Sequence, residues 1–295
     1  MLELHPAAAA DRERAYSPSS CIGGDYQPFL HAYAQGSAQA HDRAQQLGGR
    51  WISARYGSAP AQRIQLCLPP PPADRAGAGC GLLVFIHGGY WQELSAADSL
   101  FAAARCIEAG QAFAAIDYTL APLATVAGII QECRQAFAWL MRQAPWQGID
   151  ASRVVVAGSS AGAHLAACVG LGTQDEAGPV PPPRALVLAS GLYDLSPLLG
   201  TSINEALQLD ETQARACSPL HQPLAGFPRA LLCWGEVETE AFKAQSRHFA
   251  LALADAGAEV RSFEVPGRNH FDLILDLAEP GTRLGDATQV LLAPR

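Results

Sequence analysis

Apolar residues gather in short unbroken runs rather than alternating with polar ones. Such runs are Leu82-Leu83-Val84-Phe85-Ile86, Val154-Val155-Val156-Ala157, Ala185-Leu186-Val187-Leu188-Ala189 and Ala230-Leu231-Leu232-Cys233-Trp234, with a similar stretch at 112–117. They read as strands buried on both faces, the mark of a parallel sheet. Between them lie stretches of helical spacing at 94–109 (closed by Gly110), 126–142, 163–170, 242–256 and 284–292. Residues 51–56 and 63–68 read as an antiparallel pair leading into the sheet, and 259–265 as a last strand. Alternating strand and helix predict a mostly parallel central sheet with right-handed crossovers and helices on both faces. Neither a repeat nor a second domain is visible, so 1–295 is expected to form one unit. Residues 1–50 are mixed and partly helical, and 28–47 could fold over one end of the sheet as a cover. Residues 191–227, rich in turns, are the expected cap insertion.

Composition narrows the function classes. The chain of 295 residues is 49% hydrophobic and 16% charged, enough to bury a large core. A net charge of −8, with no cluster of lysine and arginine, argues against a nucleic-acid partner. The eight cysteines show no C-x-x-C pair and read as reduced thiols. The N-terminus lacks the basic and apolar segments of a secretory signal, and no stretch has membrane-spanning length. A cytoplasmic protein off the membrane, without metal or cofactor, is the expectation. A homodimer is compatible with the sequence.

The chemistry centres on Gly158-Ser159-Ser160-Ala161-Gly162, a G-x-S-x-G pentapeptide between the strand at 154–157 and the alanine-rich helix that follows. Strand, glycine-flanked serine and helix make the nucleophile elbow of an α/β-hydrolase. The glycines leave room where side chains would strike the neighbouring strand or helix. The helix N-terminus directs its unpaired N–H groups at the serine.

A serine hydroxyl needs a base, and in this fold the order along the chain is Ser, acid, His. Beyond the elbow lie His221 in the expected cap, His248 in mid-helix and His270 after the last strand. Position selects His270. The acid should follow the strand ending at Trp234, where Glu236 and Glu238 are both available. The strand is barely over at Glu236, so Glu238 has more room to turn toward the imidazole. Asp194 and Asp210 come before that strand, and Asp255 and Asp272 read as surface residues. Oxyanion donors are expected from the Ala161 N–H and from Gly88 and Gly89 in His87-Gly88-Gly89-Tyr90-Trp91. His87 reads as a group that fixes this loop.

These motifs, with Ser190-Gly191-Leu192-Tyr193-Asp194-Leu195 and Asn269-His270-Phe271-Asp272, resemble the serine-hydrolase type of kynurenine formamidase (arylformamidase). The likeness runs from about Tyr16 nearly to the end. Tyr90 is its discriminating position, because the related hormone-sensitive-lipase group usually carries a third glycine there. Asp117-Tyr118-Thr119-Leu120-Ala121-Pro122 is shared by both groups. The resemblance places the acid three residues after Gly235, on Glu238, where that family usually has aspartate. It implies metal-free hydrolysis of N-formyl-L-kynurenine to kynurenine and formate through a formyl-serine. A tight acyl side and a wide aromatic leaving-group side follow, with Tyr90, Trp91, Tyr193 and Phe271 as candidate walls. A carboxylesterase or amidase acting on small aryl substrates with the same triad is the first alternative. A non-catalytic binding protein of the same fold is the second.

Overall fold

A computed structural model describes residues 9–71, 79–175 and 178–294. The first eight residues and most of the stretch 69–81, which opens on four prolines, lie outside them. In chain order the elements are α1 (Ala9–Ala15), α2 (Gln27–Gln46), β1 (Arg50–Arg55), β2 (Arg63–Leu68), β3 (Cys80–Ile86), α3 (Ala103–Glu108), β4 (Ala112–Ile116) and α4 (Val126–Gln143). There follow β5 (Ile149–Ser159), α5 (Ala161–Gly170), β6 (Thr173–Asp175), β7 (Gly178–Val180), β8 (Ala185–Ala189), α6 (Asn204–Leu207) and α7 (Glu211–Cys217). β9 (Arg229–Val237), α8 (Glu240–Asp255), β10 (Val260–Asn269) and α9 (Arg283–Leu292) complete the chain.

Eight strands form one sheet in the order β1-β2-β4-β3-β5-β8-β9-β10. The pairs β1–β2 and β2–β4 are antiparallel, and every other neighbouring pair is parallel. The unbroken apolar runs have their explanation in the pleat. In β3, Leu82, Val84 and Ile86 face one core cluster while Leu83 and Phe85 face another, so neither parity can be polar. β5 divides the same way, with Val154 and Val156 on the first side and Val155 and Ala157 on the second. Residues of α4, α5 and α8 fill the first core; α2, α3 and α9 close the second. Each fully buried aliphatic side chain contributes about 1.5–3 kcal/mol relative to exposure, so the sheet centre is the rigid base of the site.

Two expected elements differ in the structure. The helix read at 94–109 is a short 3₁₀ turn at Ala96–Ser99 followed by α3. The Ala96 N–H is captured by the Asp117 carboxylate at 2.6 Å and the Leu100 N–H by Ser37 Oγ at 2.8 Å, which competes with helical pairing. The last strand, expected at 259–265, is β10 and continues to Asn269 across a register irregularity. β6 and β7 pair apart from the main sheet in a small hairpin. Residues 191–227 hold 3₁₀ turns, α6 and α7. The eight cysteines are free thiols, six buried and two half-buried. Among the described residues, no helix is long and apolar enough to cross a membrane.

Candidate active site

The site is built where β5 meets α5. Ser160 has φ +56° and ψ −122°, a strained conformation for a residue with a side chain, and its N–H donates to the Ala189 carbonyl at 2.9 Å. The two glycines of the pentapeptide are sterically required. A Cβ on Gly158 would sit 2.1 Å from the Gly162 carbonyl oxygen, and one on Gly162 would sit 2.0 Å from that of Ile86. The turn can therefore pass under the neighbouring strand only without side chains, and this lifts Ser160 to the end of the sheet. All ten residues of α5 are buried, so its N-terminus is held at that point.

Acid and imidazole are brought together by strand register. Asn269 of β10 pairs with Val237 of β9, so the next residues along each strand are His270 and Glu238. Gly235 allows this closeness, because a Cβ there would meet the Arg268 carbonyl oxygen at 2.4 Å. His270 Nδ1 lies 3.0 Å from Glu238 Oε2, and both side chains are buried. The other carboxylate oxygen, Oε1, accepts from Ser190 Oγ at 2.6 Å and from the Gly235 N–H at 2.5 Å. With Oε2 of Glu238 as the acceptor beside it, a neutral His270 ring carries its proton on Nδ1. Glu236, the competing carboxylate, is exposed and accepts from the Gly267 N–H at 2.8 Å. His221 is drawn off to Asp194, at 3.3 Å.

Ser160 and His270 share one cavity of about 310 Å³ with Gly88 and Gly89. Gly88 lies so close to the elbow that a Cβ on it would be 2.8 Å from the Ser159 carbonyl oxygen. Gly89 turns at φ +87°. Ala161, whose N–H opens α5, is buried directly after the serine.

Of the four residues read as pocket walls, two are there. Tyr90 and Phe271 line the cavity. Trp91 and Tyr193 do not, and the sequence reading is corrected for both. Trp91 is wholly buried with its ring edge-on to His164 at 5.1 Å; Tyr193 is wholly buried and stacks on Phe249 of α8 at 4.2 Å. Each ring gains more from the core than from an open wall. The residues that make the aromatic wall instead come from elements whose pattern showed only amphipathic or ordinary core positions: Tyr26, Tyr33, Phe85 and Phe101. Phe271 is stacked between Tyr26 and Phe29 at centroid distances of 5.6 and 5.5 Å, and its carbonyl accepts from the Tyr33 hydroxyl. α2 is thereby clamped on the loop that carries His270. Tyr16, Ser17, Pro18 and Ser19 roof the cavity, and Ser202 and Ile203 of the 191–227 segment border it. The roof is tied down where Tyr90 Oη donates to the Tyr16 carbonyl at 2.5 Å and Thr239 Oγ1 to that of Ala15 at 2.6 Å.

Two buried histidines near the site stay neutral. Burial pushes His87 and His164 from the ordinary 6.5 down to about 4, even though each donates to a backbone carbonyl, of Gly88 and Cys217 respectively. Between those values the unfolded chain binds protons that the folded chain refuses, so their contribution is full above pH 6.5 and is lost as pH falls toward 4. At about pH 5 each ring costs about 2 kcal/mol, partly offset by Asp117 and Glu93, whose carboxyls burial pushes up. Urea unfolding at pH 7 and pH 5 should show this loss. The same pair of measurements on His164→Phe should show a loss smaller by about 2 kcal/mol, and an unchanged slope would contradict the assignment.

A family profile described as the alpha/beta hydrolase fold matches residues 83–273, a span that includes Gly88 and Gly89, Ser160, Glu238 and His270. The chain belongs to the α/β-hydrolase fold family. It is 28% identical over 275 residues to a kynurenine formamidase of Danio rerio, covering 90% of each chain. It is 30% identical to the esterase LipQ of Mycobacterium tuberculosis, over 65% of this chain and 50% of that one. Among solved structures, a Silicibacter protein provisionally assigned as a thioesterase superimposes with TM-score 0.75 at 28% identity, covering 94% of this chain and 98% of the other. Such relatives make this α/β-hydrolase an enzyme of amide or ester hydrolysis.

Proposed function

We propose that this hydrolase cleaves aryl formamides of the N-formylkynurenine type, with Ser160 as nucleophile, His270 as base and then acid, and Glu238 as the orienting carboxylate. His270 Nε2 takes the Ser160 proton as Oγ attacks the formyl carbon. The oxyanion is stabilised by the N–H groups of Gly88, Gly89 and Ala161. The protonated ring then gives its proton to the leaving aryl amine, and the formyl group stays on Ser160. Water, deprotonated by the same ring, attacks that ester; the ring then returns the proton to Ser160 Oγ as the ester bond breaks, releasing formate and restoring the hydroxyl.

The observation that carries the substrate class is the aromatic-lined cavity at Ser160, set beside the formamidase relative matched along nearly the whole chain. Tyr26, Tyr33, Phe101 and Phe271 give the cavity an aromatic lining that suits an aryl amine. Glu13 and Glu93 are in the wall, with no lysine or arginine among the described lining residues, a balance that suits the ammonium group of an amino-acid substrate. The free thiols suit a reducing, cytoplasmic setting.

The esterase relative favours a second reading, hydrolysis of small aryl esters by the same residues. Steady-state turnover of N-formyl-L-kynurenine beside p-nitrophenyl acetate separates the two. The formamide should give the higher kcat/KM, by about tenfold or more, through leaving-group contacts the smaller ester cannot make. Cleavage of the ester alone would leave the esterase reading.

A further inference from the structure

The glycine loop that should hold the oxyanion has its carbonyls bound from behind by a residue outside the triad. The Tyr118 hydroxyl lies 3.0 Å from the His87 carbonyl oxygen and 3.2 Å from that of Gly88. The Gly88 carbonyl also accepts from His87 Nδ1 at 3.0 Å, and the His87 and Tyr118 rings stack at 4.2 Å and 11°. A trans peptide points its N–H opposite its C=O. The His87 carbonyl shares a peptide with the Gly88 N–H, and the Gly88 carbonyl with the Gly89 N–H. Holding both carbonyls on one atom therefore turns both N–H groups to the other side of the loop.

We infer that Tyr118 is the positioning residue of the oxyanion site, its hydroxyl setting the direction of the Gly88 and Gly89 N–H groups. Two glycines in series have no side chains to fix their peptide planes, and one turns at φ +87°. A flipped plane would present a carbonyl, not a donor, to the developing oxyanion. Tyr118 is itself held. It is 2% exposed, the preceding Asp117 carbonyl accepts from Tyr56 Oη at 2.6 Å, and the following Thr119 N–H donates to Glu132 at 2.7 Å. The Ala121 N–H donates to the Trp91 carbonyl at 2.8 Å, joining the two loops a second time. The role depends on Ser160 acting as the nucleophile, but not on a formamide as substrate.

The test is Tyr118→Phe, which keeps the stacked ring and removes the hydroxyl. It is assayed with p-nitrophenyl acetate per active site titrated by a fluorophosphonate. A fall in kcat of about 10- to 100-fold with KM within about twofold is expected, because misplaced donors fail the transition state more than the bound substrate. The rate of Ser160 phosphonylation should fall with it. Thr288→Val removes a buried hydroxyl that donates to the Leu284 carbonyl in α9, away from the cavity, and should leave kcat within about twofold. Equal kinetics for wild type and Tyr118→Phe, or an equal loss in Thr288→Val, would overturn the assignment. Should the phenylalanine variant not fold, Tyr118→Met fills the space flexibly and is read the same way. Failure of both to fold would make the hydroxyl a folding element and overturn the role too. A wild-type protein that neither labels nor turns over ester or formamide would instead refute the serine-hydrolase reading.

Discussion

Ser160→Ala is expected to lower kcat/KM by about 10⁴-fold or more on every substrate the enzyme cleaves, leaving an unfolding midpoint close to wild type. The hydroxyl contributes little to the fold. What holds the turn is the Ser160 backbone, through its N–H to Ala189 and its carbonyl, which accepts from the Ala163 and His164 N–H groups. Alanine at φ +56° carries the same Cβ as serine, so backbone strain is unchanged. Only the atom that attacks is lost. Single-turnover kinetics with N-formyl-L-kynurenine and with p-nitrophenyl acetate check this, and residual activity within tenfold of wild type would point to a nucleophile elsewhere.

Glu238→Gln should cost about 10³- to 10⁴-fold in kcat, by a different route. Ser190 Oγ and the Gly235 N–H both donate to Oε1, so the amide oxygen of glutamine must take that place. The amide nitrogen then faces His270 Nδ1, donor against donor. The ring escapes by moving its proton to Nε2, the tautomer that cannot receive a proton from Ser160. KM should change little, because Glu238 is not among the residues lining the cavity. Kinetics across pH 5 to 9 check this, and a variant within about fivefold of wild type would show that the carboxylate does not set the tautomer.

The sheet was legible in the chain because strands covered on both faces leave no polar positions, and only such strands run as 82–86 and 154–157 do. The elbow was legible because its glycines answer to steric limits of about 2 Å that any sequence making this turn must obey. His270 stood out because the Ser–acid–His order limits the search to strand ends; the same order left Glu236 beside Glu238, and the resemblance singled out Glu238. The meeting of Glu238 and His270 was not visible, since it depends on the irregular register that pairs Asn269 with Val237. Ser190 stood in the chain only as the start of the motif at 190–195, and nothing there tied its hydroxyl to the far oxygen of Glu238. The aromatic wall was misread for Trp91 and Tyr193 because neighbours in sequence to loop motifs need not face the cavity. Tyr33 and Phe101 make that wall from afar, the first on a helix whose apolar stripe was only known to cover something.

The most direct test of the account is the site of covalent labelling. Protein inactivated by a fluorophosphonate, then digested and sequenced by tandem mass spectrometry, should carry the label on Ser160 alone. Prior incubation with N-formyl-L-kynurenine should slow that labelling. Label on another residue, or an unmodified Ser160 in protein that still turns over substrate, would contradict the account.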